Sequence, residues 1–291
     1  MLVPRFAVAL AACSLVLAGC RSATRPTPPR PGEPRAMAEP AARAPRWIVT
    51  HASSARTHDL HVTATLVSRV DSLERVDTLR ATARTTWTFS PAPIAAAGVP
   101  ARISGSLVRY AVGLGGEGEL SPPPGLPLPF VYAAEQASPG EMPQLTLPRP
   151  DDCGGAAAAV AALRELWISP PDTLFVGRTW TDSARYLTCR DSVPLSVETE
   201  RRFTVVGAER RGDAPVVLIE RQSASRMSGS GTQFGEPLDI TAEGSGTMLL
   251  SLALDGQVIG GEGEAVLRME MRGRRRAQQL EQRARITIVT P

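Results

Sequence analysis

The chain has 291 residues, 43% of them hydrophobic but only 4% aromatic, so its core should be built mainly from Val, Leu, Ile and Ala. Lysine and asparagine are absent and all 32 basic residues are arginine, a bias expected of a GC-rich genome and not of any one activity. The formal charge of +3 is too small for a nucleic-acid partner to be expected from global electrostatics.

At the N-terminus a single positive charge, Arg5, precedes an apolar run from Phe6 to Leu17, the layout of an export signal. The run closes on Leu17-Ala18-Gly19-Cys20, which resembles the lipobox of bacterial lipoproteins. That resemblance implies a signal peptide over residues 1–19. It also implies a diacylglyceryl group on the Cys20 thiol and acyl chains, palmitate among them, holding the mature chain on a membrane. An ordinary secretory signal with a chance cysteine is the alternative. Two or three acyl chains, at about 0.8 kcal/mol per buried methylene, make such anchoring durable. Arg21, not aspartate, follows the cysteine, and the resemblance then points to the outer membrane, on its periplasmic or surface face. No later segment reaches the roughly 18 apolar residues of a spanning helix.

Cys13 lies in the signal and Cys20 takes the lipid, leaving Cys153 and Cys189 as one pair in the body. In an oxidising envelope a disulfide between them is expected, stabilising by about 3–4 kcal/mol in the chain-entropy model. Two free thiols or a redox pair are the alternatives.

Residues 20–46 are dense in Pro, Ala and Arg and read as an extended, lipidated tether. A β region follows over 47–120. Leu60, Val62, Ala64, Leu66, Ser68 and Val70 alternate with polar neighbours, and Leu79, Ala81, Ala83, Thr85, Trp87 and Phe89 repeat the period after a short connection. The two read as an antiparallel hairpin, with a third strand over 101–114. Prolines across 121–150 exclude a helix or central strand, so this stretch reads as a surface connection. The region 151–291 opens on one predicted helix, near 154–167, capped by Asp151 and Asp152 and ended by Pro170-Pro171. Its apolar face should pack on a sheet.

Strand signals then run to the C-terminus, in segments near 174–180, 185–189, 198–207, 216–227, 240–254, 257–271 and 278–289. Asp255-Gly256 is a two-residue hairpin turn, and Arg272–Arg276 form a further tip. In the last strand Leu280, Gln282, Ala284, Ile286 and Ile288 should face inward. Gly115-Gly116-Glu117-Gly118-Glu119 recurs as Gly260-Gly261-Glu262-Gly263-Glu264. This echo marks either two related β lobes or a place where glycine relieves crowding in a bent sheet.

Candidate chemistry is sparse. His51, His58 and His61 lie close in sequence, but an odd separation puts 58 and 61 on opposite faces of a strand, so no metal site is expected. Ser228-Gly229-Ser230-Gly231 and Gly244-Ser245-Gly246 do not match a nucleophile elbow. Asp151 with Asp152, and Glu262 with Glu264, are acid pairs without a partner base. Cys153 at a helix start could be a reactive thiolate, though pairing with Cys189 is preferred. Arg272, Arg274, Arg275 and Arg276 could touch anionic headgroups or form a solvated tip.

Val176-Gly177-Arg178-Thr179-Trp180, followed by antiparallel strands, resembles a phrase found in uncharacterised β-rich bacterial lipoproteins, with Arg178 standing where an acid is usual. The resemblance implies no catalytic residue. The expectation is a mainly β protein: a curved antiparallel sheet, half-barrel or sandwich, with one packed helix. The function expected is that of a non-enzymatic, lipid-anchored envelope protein without a cofactor, acting as a structural or protein-interaction module. The alternative is a periplasmic carrier of a hydrophobic or lipid ligand, similar to lipoprotein-carrier half-barrels, with a hydrolase third. An interaction module requires a filled core, whereas a carrier requires an apolar trough along the inward residues of the final strands.

Overall fold

The computed structural model describes residues 45–50, 55–70, 73–91, 100–114, 127–133, 165–190, 193–233, 235–274 and 277–291. In these residues alternating sequence becomes long antiparallel strands: β1 (Arg46–Ile48), β2 (Ala55–Val70), β3 (Leu73–Pro91), β4 (Pro100–Leu114), β5 (Leu128–Ala133), β6 (Thr173–Phe175), β7 (Thr179–Arg190), β8 (Val193–Arg211), β9 (Ala214–Gln233), β10 (Glu236–Ala253), β11 (Val258–Gly273) and β12 (Ala277–Val289). Ten of them form one sheet in the order β5-β4-β3-β2-β12-β11-β10-β9-β8-β7, while β1 and β6 make a separate two-stranded ribbon. Every step in the large sheet joins sequence neighbours except one, where the last strand pairs with β2 from Gln278 opposite Val70 to Val289 opposite Asp59. β5 and β7 are not paired with each other, so the sheet is not a closed barrel.

The β2–β3 hairpin is present, and its strands run longer than periodicity indicated, because β3 begins at Leu73 within the expected connection. The Asp255-Gly256 turn joins β10 to β11, with Gly256 at φ +86° and the Gln257 amide donating to Asp255 Oδ1 at 3.1 Å. β5 falls inside the Pro-rich stretch. It is an edge strand, the one position in a sheet where a residue such as Pro129 is tolerated.

Burial follows the period of two. On β12 Leu280, Gln282, Ala284, Ile286 and Ile288 are all buried. The same face continues through Leu60, Val62 and Ala64 on β2, Leu79 and Ala81 on β3, Phe203 on β8, Ile219 on β9 and Leu250 on β10, forming the larger apolar cluster. A second cluster gathers Val193, Leu195, Val197, Met227, Ile240, Met269 and Leu280 toward the other strand ends. Between them the inner face of β7 to β10 is polar or small, with Asp182, Arg201, Ser223, Ser225 and Gly246 all buried.

Two expectations change. The regions flanking the Pro-rich stretch do not form two lobes, since β2 to β5 and β7 to β12 share one sheet. Glycine on β11 has the other explanation offered. A Cβ at Gly263 would lie 2.3 Å from the Thr247 carbonyl oxygen, and one at Gly261 would lie 3.1 Å from that of Leu249. The earlier copy of the motif, 115–119, lies outside the described residues. The packed helix is not supported: of 154–167 only 165–167 are described, with Glu165 and Leu166 helical, and no complete helix occurs among the described residues.

Candidate functional site

The phrase around Trp180 acts structurally. Gly177 takes φ +87°, its amide donates to the Val205 carbonyl at 2.8 Å, and the Val205 amide donates back to Arg178 at 2.9 Å. Trp180 then stacks on Phe203 with ring centroids 5.0 Å apart and planes 12° from parallel. Glycine is required by the turn, and tryptophan by the aromatic layer below it.

Beside this layer lie two buried ion pairs that sequence reading missed. Asp182 on β7 is directly opposite Arg201 on β8, and the guanidinium grips both carboxylate oxygens, Nε to Oδ1 at 2.7 Å and Nη2 to Oδ2 at 2.6 Å. Both side chains are almost fully buried. Arg201 also lies 5.2 Å over the Phe203 ring. On β9, Arg221 pairs with the Glu165 carboxylate, donates to the Glu165 carbonyl at 3.2 Å, and reaches Met248 Sδ at 2.8 Å. These are matched charges held between strands, an arrangement that favours a single strand register.

His58 is the buried histidine. Its Nε2 donates to the Val258 carbonyl at 2.7 Å, and the ring meets Trp87 edge-on at 5.8 Å. Burial pushes its pKa below the usual 6.5, aided by the positive charge of Arg56; the Val258 carbonyl and the carboxylates of Asp255 and Asp59 oppose the shift. Nδ1 is buried without a partner among the described residues. Among the described residues no hydroxyl, thiol or carboxylate is hydrogen-bonded to this imidazole. His61 is exposed on the opposite face, and His51 lies outside the described residues. No group of three or more potential metal ligands occurs among the described residues.

The remaining predicted residues are dispersed. Cys20, Cys153, Asp151 and Asp152 lie outside the described residues, as do Arg275 and Arg276. Cys189 is on β7 opposite Pro194. Glu262 and Glu264 are exposed on β11. Arg272 holds Glu270 through two bonds of 2.9 and 3.0 Å, which lower the Glu270 pKa, so this guanidinium is already engaged.

The outward face of the sheet carries two adjoining hollows, of about 780 and 640 Å³. Both are lined by Glu198, Arg226, Glu243 and Arg268, and the smaller one reaches Ser183 and Arg185 on the edge strand β7. The charges pair locally: Arg185 with Glu198 at 3.0 Å, Arg226 with Glu243 at 3.9 Å, and Arg268 with Glu281 at 3.2 Å. Exposed pairs of this kind contribute little to stability and exchange readily for charges on a partner. Both hollows lie on the side away from the core; the smaller is lined mainly by polar surface, the larger by polar and apolar surface in similar measure.

No family model matches the chain, and no curated protein matches it. Among solved structures it is similar to DynF from the dynemicin biosynthesis pathway of Micromonospora chersina, at 9% identity over 95% of each chain and a TM-score of 0.22. A DUF1329 family protein from Desulfovibrio piger follows at 8% identity, covering 77% of this chain and 83% of that one, with a TM-score of 0.16. OccK2 of Pseudomonas aeruginosa shows 7% identity over 84% of this chain and all of its own, with a TM-score of 0.21. Likenesses at this level carry no functional argument.

Proposed function

We propose that the chain is a non-enzymatic envelope protein, anchored through lipid on Cys20, whose β body serves as a protein-interaction module. The observation that carries this reading is the burial of the inner face along the final strands. Leu250 and Ile240 expose nothing, and Ile286 and Ile288 expose 1% and 3% of their surface. Residues lining a ligand trough would keep area accessible to a water-sized sphere; these do not. The surface offered for recognition is the charged outward face, where the smaller groove reaches Ser183 and Arg185 on β7, the edge strand of the described sheet. A partner segment of mixed charge can replace the local Arg–Glu pairs there and lie along the strand.

The anchoring half of the proposal rests on the lipobox, and Cys20→Ser should move the protein from the membrane fraction to the soluble fraction. The interaction half is tested by native mass spectrometry of the protein purified from its own envelope. A stoichiometric protein partner is expected, lost when Arg226→Glu and Arg268→Glu are combined. A stoichiometric lipid with no protein would overturn the reading in favour of a carrier.

A further inference from the structure

The ribbon of β1 and β6 has two unlike faces. Trp47 is paired with Leu174, and this pair turns to the core, where Leu174 is fully buried. Arg46 is paired with Phe175 and Ile48 with Thr173, so these four side chains share the opposite face. That face is open: Ile48 is 66% exposed, and Val176, in the turn just after β6, is 48% exposed. Arg178 lies 6.0 Å over the Phe175 ring. Ile48 and the half-buried Phe175 are therefore bracketed on this face by two guanidiniums, with Val176 exposed in the turn that follows and Asp172 the neighbouring carboxylate in sequence.

The position of this patch gives it meaning. Arg46 is where the sequence running from Cys20 enters the folded body, and residues 21–45 carry Arg21, Arg25, Arg30, Arg35 and Arg43 against Glu33 and Glu39. We propose that this ribbon face rests on the membrane to which the chain is tethered, and that its occupant is a bilayer surface bearing anionic headgroups. The proposal depends on the lipid-anchored reading above. A lipid at the start of the tether makes contact between patch and bilayer an intramolecular event, at an effective concentration set by tether length. A patch too small to recruit a free protein then suffices to orient a tethered one. Isoleucine, phenylalanine and valine suit the boundary between headgroups and acyl chains, while Arg46 and Arg178 suit the negative surface above it. Docked in this way, the body would be held at its root in a fixed orientation.

The test uses the full lipidated protein carrying Ile48→Trp, reconstituted into phosphatidylcholine vesicles with or without phosphatidylglycerol, with bromine on shallow acyl positions. Quenching beyond that of the parent protein is expected in the phosphatidylglycerol vesicles. Adding Arg46→Ser and Arg178→Ser should lower the docked-to-undocked ratio roughly fivefold per arginine. If the protein floats with the vesicles but is quenched no more than its parent, docking is overturned and anchoring stands. If it does not float, the anchoring reading fails and docking with it. Equal quenching with and without phosphatidylglycerol would overturn the assignment to anionic headgroups.

Discussion

Asp182 and Arg201 show what a buried charge does when its partner lies directly across a strand pair. The carboxylate has lost its water, and two charge-assisted bonds from one guanidinium replace it. Removing one partner strands the other, at a cost of about 3–5 kcal/mol. Asp182→Ala should therefore lower the unfolding free energy by that amount in urea denaturation, while Asp182→Leu combined with Arg201→Met should recover most of the loss. His58 makes a different prediction. Its folded pKa lies below the ordinary 6.5, so between the two values the unfolded chain binds a proton that the native chain does not. Stability is then fully present above the ordinary value and declines as pH falls through it. The thermal midpoint should drop between pH 7.5 and 5.5, and His58→Phe should flatten that drop. The lowered carboxyl pKa values of Asp59, Glu270 and Glu281 act at still lower pH, outside this window.

At the scale of a strand, β11 is constrained by close approach at Gly263. The Cβ that Gly263→Ala introduces would meet the Thr247 carbonyl oxygen at 2.3 Å and Met248 Cγ at 2.2 Å, and backbone cannot move aside cheaply. A loss of about 1–3 kcal/mol is expected. Gly207→Ala, at the β8 bulge with nothing within 4 Å, should be neutral or slightly stabilising, and thermal unfolding of the two variants separates them. On β7, Asp182 points inward from a strand with one side unpaired in the described sheet. A buried acid in an edge strand discourages indiscriminate pairing with other chains, and here it is satisfied within its own sheet. Alternation made β12 and its buried face legible, because one side of that strand is continuously apolar apart from Gln282. β7 was harder to read. Thr179 to Arg190 form one strand, yet the inward Asp182 broke the pattern and split the segment in two. The ion pair was hidden for the same reason, since Asp182 and Arg201 meet only once the β7–β8 register is known.

At the scale of the molecule, pattern alone gave the mainly β character, the β2–β3 hairpin and the Asp255-Gly256 turn, each set by residues close in sequence. The single ten-stranded sheet was not legible, because the pairing of β12 with β2 depends on which strand edges remain after the local hairpins form. The charged grooves were also invisible, since Glu198, Arg226, Glu243 and Arg268 come from four strands. The β12–β2 pairing has a consequence for how such a chain is made. One edge of β2 pairs with β3, but the other finds its neighbour only in the final thirteen-residue strand, where Gln278 bonds Ser68 across 210 positions at 2.7 Å. A polypeptide emerging from its amino end presents the β2 to β5 hairpins long before β12 follows. That edge of β2 must wait unpaired until the last strand emerges, which gives chaperones and proteases a window set by elongation rate. Clipping the last strand would leave a product that never leaves that window.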